Sequence, residues 1–384
     1  MKKYQIHYTA TKLFYSNLER LARETLGTEE KCVVFGSSRI SGMIIYYLEN
    51  VQKLPVDAII DNSKYNQGKN IYGKSVFSPE VYLESGKKKD VIILIASGYQ
   101  DDMIRQLEAM GYQMEKEIFK VIDLPEVMSD FSFFDRSGYQ EMDPGKVQKI
   151  QLEVLHHLKE ICDRHDIRYF LEGGTLLGAV RHHGYIPWDD DIDVYVVQKD
   201  MMRLAEVLKD DPDYELLSCA NCDDYFDEGS LFVNTSVLVD LNRFPTQLQT
   251  GLSIDVFPLC GMPTGDAEIE KYLTKSKALN QNKWNHLYDA DLIKKAAKEE
   301  WEFMLSYDFD ACENVGFTIG AHGTREIFKK ECFDRMDIMF EGELHRVPKG
   351  YDTYLTQFYG NYMELPPVEK RTGHHFYKIY ETNR

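Results

Sequence analysis

The residues best suited to chemistry in this 384-residue chain lie in one segment, residues 170–196, which reads FLEGGTLLGAVRHHGYIPWDDDIDVYV. Asp191 and Asp193 alternate with apolar residues, and in a strand this alternation places both carboxylates on one face. Two carboxylates presented in this way, with room left for phosphate oxygens, favour Mg²⁺ or Mn²⁺ over zinc. The spacing therefore predicts a divalent-cation site at Asp191 and Asp193.

A glycine turn precedes these carboxylates. Gly173, Gly174 and Thr175 open a short helical pattern. Glycine lets a ligand approach the backbone closely, and free N–H groups at a helix start bind phosphate. We therefore expect these three residues to bind a phosphate-bearing donor. Arg181 is a further phosphate candidate, preferred over the two histidines that follow it.

A third carboxylate is expected from a neighbouring strand. Asp255 lies in GLSIDVFP, residues 251–258, where a charge among apolar residues is costly unless it is paired or metal-bound. We expect Asp255 to lie beside Asp191 and Asp193, either as a metal ligand or as a general base. The competing interpretation is an acidic turn that caps a helix, with Asp255 paired to an arginine. The glycine turn and Asp255 together disfavour it.

Cations that could balance a bound phosphate are clustered near the C-terminus at Lys370, Arg371, His374 and His375. An arginine can hold phosphate oxygens with two N–H donors, so Arg371 and His374 are assigned to donor binding. The alternative is a solvated surface.

A different motif, Cys219 and Cys222, has zinc-ligand spacing but no second Cys or His pair, and is interpreted as two ordinary thiols.

Alternating strand and helix patterns predict the elements that come before this site. Apolar runs at 31–36, 56–60 and 90–96 each end in turn residues, and helical patterns follow the first and the third. Such alternation predicts a small parallel sheet. We assign residues 1–125 to this unit. The turn at residues 36–42 resembles an incomplete dinucleotide-binding motif, so nucleotide binding and a docking role both stay open.

A second domain is predicted at 147–384, after an irregular linker at 126–146 that contains Pro144 and Gly145. Apolar residues at three- and four-residue spacing predict a helix from Val147 to His165. The expected fold class is thus α/β, with a small parallel sheet followed by a larger α+β domain.

Composition limits the partners and the compartment. Asp and Glu number 63 against 45 Lys and Arg, a formal charge of −18 that disfavours nucleic acid as a partner. Seven scattered cysteines are typical of reduced thiols and a cytoplasmic protein. Because no apolar run is long enough to span a bilayer, contact with a membrane-bound substrate is expected only at the surface.

These motifs resemble the LicD family of phosphotransferases. The segment LEGGTLLGAVRHHGYIPWDDDIDV is close to the family signature, SIDVFPL matches its Asp-Val-Phe-Pro stretch, and VPKGYDTYLTQFYGNYMELPPVEKRTGHH resembles its C-terminal block. The resemblance covers roughly 145–384. One departure is visible, because the family commonly has Tyr-Gly-Asp-Tyr where this chain has Tyr359-Gly360-Asn361-Tyr362. The charge lost at Asn361 argues against a direct metal role there.

The resemblance implies a nucleotidyltransferase-like fold and metal-dependent transfer of a phospho-alcohol. The group is typically phosphocholine, taken from CDP-choline to a hydroxyl of a cell-surface glycan precursor such as a teichoic acid or lipopolysaccharide. Animal relatives, the fukutin group, use CDP-ribitol. The partners implied are a CDP-alcohol, a glycan or lipid-linked glycan and the inner face of a membrane. Two alternatives stay open, namely transfer of the nucleoside monophosphate itself and a non-catalytic scaffold for glycan assembly.

Overall fold

The computed structural model describes residues 4–27, 31–84, 90–132, 134–317, 326–371 and 377–382. Within these ranges the chain is a mixed α/β protein with two large sheets, a separate hairpin and eleven α-helices. No helix in the described ranges has the length and hydropathy needed to cross a membrane. All seven cysteines lie within these ranges and are free thiols, as the sequence predicts.

The first sheet has six strands and follows β1 and α1 in the chain. The elements are β1 (Gln5–His7), α1 (Thr9–Glu24), β2 (Lys31–Phe35), α2 (Arg39–Tyr46), β3 (Ala58–Ile60), β4 (Asn70–Ile71), β5 (Lys74–Phe77), α3 (Pro79–Tyr82), β6 (Val91–Ile95), α4 (Gln100–Ala109), β7 (Ile118–Lys120) and α5 (Leu124–Ser129). The strand order is β4-β5-β3-β2-β6-β7, and every pair except β4 with β5 is parallel. The three strands that the sequence predicts here are all present.

The second sheet has ten strands and carries the candidate site. The elements are β8 (Tyr139–Glu141), α6 (Val147–Arg164), β9 (Tyr169–Leu171), α7 (Gly173–His182), β10 (Asp193–Val197), α8 (Gln198–Val207), β11 (Tyr214–Leu217), β12 (Ser230–Arg243), β13 (Thr246–Met262), α9 (Asp266–Asn285), α10 (Ala290–Met304), β14 (Asn314–Gly316), β15 (Ile327–Lys329), β16 (Arg335–Phe340), β17 (Glu343–Pro348), α11 (Tyr351–Tyr359) and β18 (Tyr377–Thr382). Strands β16 and β17 form the separate hairpin.

Strand β13 organises this sheet, because β1, β10, β12 and β14 all pair with it. Only the pairing with β10 is parallel. Helix α6 packs against β13 and β12, and its predicted apolar positions Val147, Val154, Leu158 and Ile161 are buried. The predicted helix is thus confirmed, and it covers the face of the sheet beside the candidate site.

The two predicted units share structure across their boundary. Strand β1 pairs with β13 of the second sheet, and β8, within the predicted linker, pairs with β18. One apolar core contains Phe14 and Met43 from the first unit together with Trp284 and Ile293 from α9 and α10. The boundaries at 125 and 146 stay predictions, but the chain is packed on both sides of them.

Candidate active site

Two of the predicted carboxylates lie side by side on neighbouring strands. Asp193 begins β10 and stands opposite Asp255 in the parallel pairing with β13. The Asp255 N–H donates to the carbonyl oxygen of Ile192 at 2.8 Å. Neighbouring strands are about 4.8 Å apart. The register therefore brings together two carboxylates that are 62 positions apart in the sequence.

The acidic run before β10 adds further carboxylates. Oxygen atoms of Asp189, Asp190 and Asp191 lie within 4.8 Å of one another, an arrangement that could hold a metal ion. The expected strand alternation at Asp191 needs one correction, because β10 begins only at Asp193. Asp191 lies in the preceding loop, where burial still alternates. Asp189 and Asp190 were not predicted, although the unbroken run of aspartates was visible in the sequence.

Polar side chains from α6 hold this loop in place. The Gln148 side-chain amide donates to the carbonyl oxygen of Asp189 at 2.9 Å, and that of Gln151 donates to the carbonyl oxygen of Asp190 at 3.2 Å. Tyr185 donates in turn to the Gln151 side-chain oxygen at 3.0 Å. These bonds hold the loop through its backbone oxygens rather than through its carboxylates.

Glu172 is a site residue that the sequence analysis missed. It precedes α7, and its backbone N–H donates to the carbonyl oxygen of Asp193 at 3.0 Å. The hydroxyl of Tyr354, from α11, donates to Glu172 Oε1 at 2.7 Å. The sequence feature that could have identified Glu172 is its position as an acidic residue directly before the glycine pair.

The glycine turn is required because the carboxylates pack against it. Gly173 has a φ of +50°, and a Cβ there would lie 3.5 Å from Asp193 Oδ2. A Cβ at Gly174 would lie 2.9 Å from Asp189 Oδ2, too close without a shift. Thr175 is buried and its Oγ1 accepts a hydrogen bond from the Asp193 N–H at 2.9 Å. The turn thus fits closely around the acidic residues.

Burial and neighbouring negative charges raise the pKa values of Glu172, Asp189 and Asp193. Burial, together with the charges of Asp191 and Asp255, raises the pKa of Glu172 to about 7 despite hydrogen bonds from tyrosines. Burial and Asp191 likewise raise the pKa of Asp189 to about 7. Burial raises the pKa of Asp193 well above its ordinary value, and neighbouring charges add to this. We call these residues, Glu172, Asp189, Asp191, Asp193 and Asp255, the carboxylate cluster.

Cations lie at the rim of this cluster. The Arg371 guanidinium lies over the ring of Trp188, 5.2 Å from its centroid, and its Nε–H donates to the carbonyl oxygen of Pro366 at 2.8 Å. Arg181 donates from Nη1 to the carbonyl oxygen of Tyr362 at 2.7 Å. Burial lowers the pKa of Arg181, and the positive charge of Arg371 lowers it further. The structure therefore brings both predicted arginines to one side of the site.

Trp188, whose ring lies against the Arg371 guanidinium, was not predicted from the sequence. The predicted residue His374 and its neighbour His375 lie outside the described residues. Asn361, where the sequence departs from the family pattern, is exposed and donates to Glu364 Oε2 at 3.1 Å.

A cleft leads from the carboxylate cluster across the sheet. It is lined by Asp255, Ser253 and Leu231 on the strands and is bordered by residues 224–227, which we call the 224–227 segment. Gln151 from α6 also borders it. Asp255 is the member of the carboxylate cluster that lines this cleft, and the 224–227 segment lies along its border.

Two other motifs have local roles in the structure. Cys222 accepts a hydrogen bond from the Tyr4 hydroxyl at 2.7 Å, and the acidic run is the one potential metal-binding group found among the described residues. In the turn at residues 36–42, the Ser37 hydroxyl donates to Asp61, which directly follows β3 and also accepts a hydrogen bond from the Ser63 N–H at 2.7 Å. These contacts shape the turn after β2.

Comparison with known proteins places the site within a family. The family model described as LicD/FKTN/FKRP, nucleotidyltransferase domain, matches residues 166–294. This range includes the glycine turn and every member of the carboxylate cluster. Arg371, at the rim of the cluster, lies beyond it.

Individual relatives agree with this match. The lipopolysaccharide cholinephosphotransferase LicD of Haemophilus influenzae is 29% identical over 260 residues, covering 61% of this chain and 96% of that protein. The ribitol 5-phosphate transferase FKRP of human and of mouse is 31% identical over 106 residues, covering 28% of this chain and 19% of those proteins. The predicted family relationship is confirmed: the chain carries a LicD-family domain with homologues in the fukutin group.

Proposed function

We propose that the chain transfers a phospho-alcohol from a CDP-linked donor to a hydroxyl of a cell-surface glycan precursor. The observation that carries this proposal is the convergence of Asp193, Asp255 and Glu172 beside the glycine turn. Two of the relatives are named as a lipopolysaccharide cholinephosphotransferase and a ribitol 5-phosphate transferase. Phosphocholine is the preferred group because the match to the cholinephosphotransferase covers 96% of that protein.

The proposal extends to the fold of each unit. The six-stranded sheet, parallel except for the pairing of β4 with β5, and the glycine turn after β2 support a Rossmann-like module in the first unit. The parallel pairing of β10 with β13 beside α7 supports a nucleotidyltransferase-like fold in the second. Fold alone does not assign a ligand to the first unit, so catalysis is assigned to the second.

The carboxylate cluster fits a divalent cation. Its side chains offer only oxygen ligands, and Glu172, Asp189 and Asp193 form no ion pair with a Lys or Arg among the described residues. Asp191, Asp193 and Asp255 are the proposed ligands of Mg²⁺ or Mn²⁺. When bound, such an ion neutralises phosphate charge and stabilises the charge that develops on the leaving CMP.

The chain's own residues position the reactants. The start of α7, at Gly173 and Gly174, offers a positive helix end to the diphosphate, and Arg371 neutralises phosphate oxygens from the other side. The acceptor oxygen attacks the phosphorus that carries the alcohol, the bond from that phosphorus to the CMP oxygen breaks, and the hydroxyl proton passes to a carboxylate. Asp255, which borders the cleft, is the proposed base if it does not ligate the metal.

Incubation with Mg²⁺ and a panel of CDP-choline, CDP-ribitol and CDP-glycerol tests this function. We expect CMP release that depends on metal and increases with the correct glycan, with CDP-choline the best donor. The exposed Asp210→Asn variant is a matched control for Asp193→Asn. Release of phosphocholine with CMP joined to the acceptor would instead establish nucleotidyl transfer, and no metal-dependent turnover of any donor would favour a scaffold.

A further inference from the structure

A second cavity lies outside the carboxylate cluster, between α1 and the beginning of α10. Its volume of about 410 Å³ falls within the range of roughly 300–1,000 Å³ that is typical of small-molecule sites. One wall is a single face of α1, because its members recur at three- and four-residue spacing. The members of this face are Tyr8, Thr11, Lys12, Tyr15, Ser16 and Glu19. The adjoining face of α1 carries the core residues Phe14, Leu18 and Leu21, and Tyr15 is buried with them.

Aromatic rings form much of the remaining wall. Tyr15, Tyr47 and Tyr288 contact one another in a triangle, with ring centroids 4.9, 5.5 and 5.8 Å apart. Phe226 lies across from them, beside Tyr8 at a centroid distance of 6.2 Å. We call this site the tyrosine cavity. Because these rings come from α1, from the turn after α2 and from the turn before α10, both predicted units contribute to it.

The charges around the tyrosine cavity balance. Lys12 and Glu19 are exposed at its edge, and Lys294 forms an ion pair with Asp224 at 3.3 Å. Two cations thus accompany two anions, in contrast to the carboxylate cluster. A balanced lining selects neither an anion nor a cation. Ring faces next to charged and hydroxyl side chains match a neutral saccharide, which has an apolar C–H face and a periphery of hydroxyl groups that donate and accept hydrogen bonds.

We propose that the tyrosine cavity binds a neutral saccharide unit of the acceptor glycan. The connection to catalysis is the 224–227 segment, because Asp224 and Phe226 border both this cavity and the cleft that contains Asp255. A glycan held in the cavity would pass this segment to bring a further unit toward Asp255. Saccharide binding itself is independent of the reaction, whereas the role as acceptor site rests on the proposed function.

Saccharide binding to the full chain tests the proposal. The probes are glucose, galactose, N-acetylglucosamine, N-acetylgalactosamine, lactose and diacetylchitobiose, detected by saturation-transfer NMR. Glu19→Gln and Lys12→Ala change exposed side chains and leave the core intact, while Tyr288→Ala removes a ring. We expect at least one probe to bind, and each variant to weaken that binding about tenfold, which corresponds to about 1.4 kcal/mol. Tyr99→Ala, at an exposed tyrosine before α4, should leave it unchanged.

Two results would overturn the proposal. The first is that no probe binds, or that binding is insensitive to all three variants. The second is that tetramethylammonium binds with the same dependence on Glu19 and Tyr288, which would make the cavity a cation site. CMP release from CDP-choline, CDP-ribitol and CDP-glycerol is measured on the same preparations. Turnover without saccharide binding refutes the cavity assignment alone, whereas saccharide binding without turnover of any donor refutes the proposed function alone.

Discussion

Two groups of buried carboxylates in this protein differ in whether the chain itself supplies a cation beside them. In one group, Lys283 is fully buried and contacts Glu228 at 2.9 Å and Glu300 at 2.6 Å. Burial alone would raise the pKa of Glu228, but the attraction and hydrogen bond of Lys283 outweigh it and lower the pKa to about 2, whereas burial keeps the pKa of Glu300 raised. In the carboxylate cluster, burial and like charges raise the pKa values of Glu172 and Asp189 to about 7.

The difference between the groups is the origin of the compensating charge. Burying a charge is unfavourable unless a partner is provided, and removing one partner of a buried pair is strongly destabilising. Lys283 on α9 provides that partner from within the chain. Its ion pairs join α9 to Glu300 on α10 and to Glu228, which directly follows the 224–227 segment. The carboxylate cluster has excess negative charge instead. Burial therefore does not distinguish a structural carboxylate from a ligand-binding one, whereas the presence of an internal cation does.

The largest effect is expected from Asp193→Asn. The substitution keeps size and hydrogen bonding but removes a charge from the centre of the carboxylate cluster. We expect metal-dependent turnover of CDP-choline to fall at least about 1,000-fold, or about 4 kcal/mol in barrier, with thermal stability of the metal-free protein unchanged or increased. Initial-rate assays and calorimetry of the same sample measure both quantities.

The control for this prediction is Asp210→Asn, which removes an exposed charge of the same type. Its turnover should match that of the unmodified chain. If Asp193→Asn retains more than about a tenth of the turnover, a loss of less than about 1.4 kcal/mol, Asp193 has no essential role in metal binding.

Lys283→Met is expected to lower the stability of the protein, which Asp193→Asn should not do. Methionine has a similar length but cannot neutralise Glu228 and Glu300. We expect the free energy of unfolding to fall by about 3 kcal/mol, because a buried charge loses its partner. Urea unfolding measures this change. Lys298→Met on α10, where the lysine side chain is 77% exposed, is the control and should change stability little. Equal stability of both variants would mean that Lys283 does not balance the buried glutamates.

How much of this contrast could be predicted from the sequence depended on the distance between partners. The alternation at Asp191 and Asp193 is local, and the isolated charge of Asp255 was conspicuous among apolar neighbours. Glu172 was missed because its environment depends on Tyr354, which is 182 positions away. No local sequence pattern indicates a contact over this distance in the chain.

The same limit applies to the fold. Apolar runs and helical periodicity predicted three of the six strands of the first sheet, β2, β3 and β6, and helix α6. They could not predict that the three-residue strand β1 would pair with β13, because a strand of that length has almost no periodic signal and its partner comes later in the chain. The shared core of α1, α2, α9 and α10 has the same origin in long-range packing.

A smaller effect is expected from pH on the metal-free protein. Glu172 and Asp189 hold their protons to about pH 7 when folded, whereas ordinary carboxyls release them near pH 4. The folded state therefore binds more protons between these values, and stability decreases as pH rises from about 4 to about 7. We expect the melting temperature to be a few degrees lower at pH 8 than at pH 6, and Mg²⁺ to reverse much of this decrease at pH 8.

Asp189→Asn should reduce this dependence on pH, since it removes one of the titrating groups, and Asp210→Asn should not. A melting temperature that rises between pH 6 and pH 8 in the metal-free protein would contradict the assigned direction of the pKa shifts. Calorimetry in the presence of a chelator makes the measurement without any donor or acceptor, so its outcome is independent of the substrate assignment.

The smallest effect is expected from Arg371→Lys at the rim of the carboxylate cluster. Arg371 is positioned by the Trp188 ring and by the Pro366 carbonyl oxygen, so its guanidinium can face a phosphate while the carboxylates bind the metal. Lysine keeps the charge but loses the planar, two-donor geometry. We expect the KM for CDP-choline to rise about fivefold, or about 1 kcal/mol, with kcat nearly unchanged. Arg335→Lys, on the hairpin and paired with Asp337, is the control. A fall in kcat at constant KM would instead place Arg371 in the transition state, and no change in either constant would remove it from the donor site.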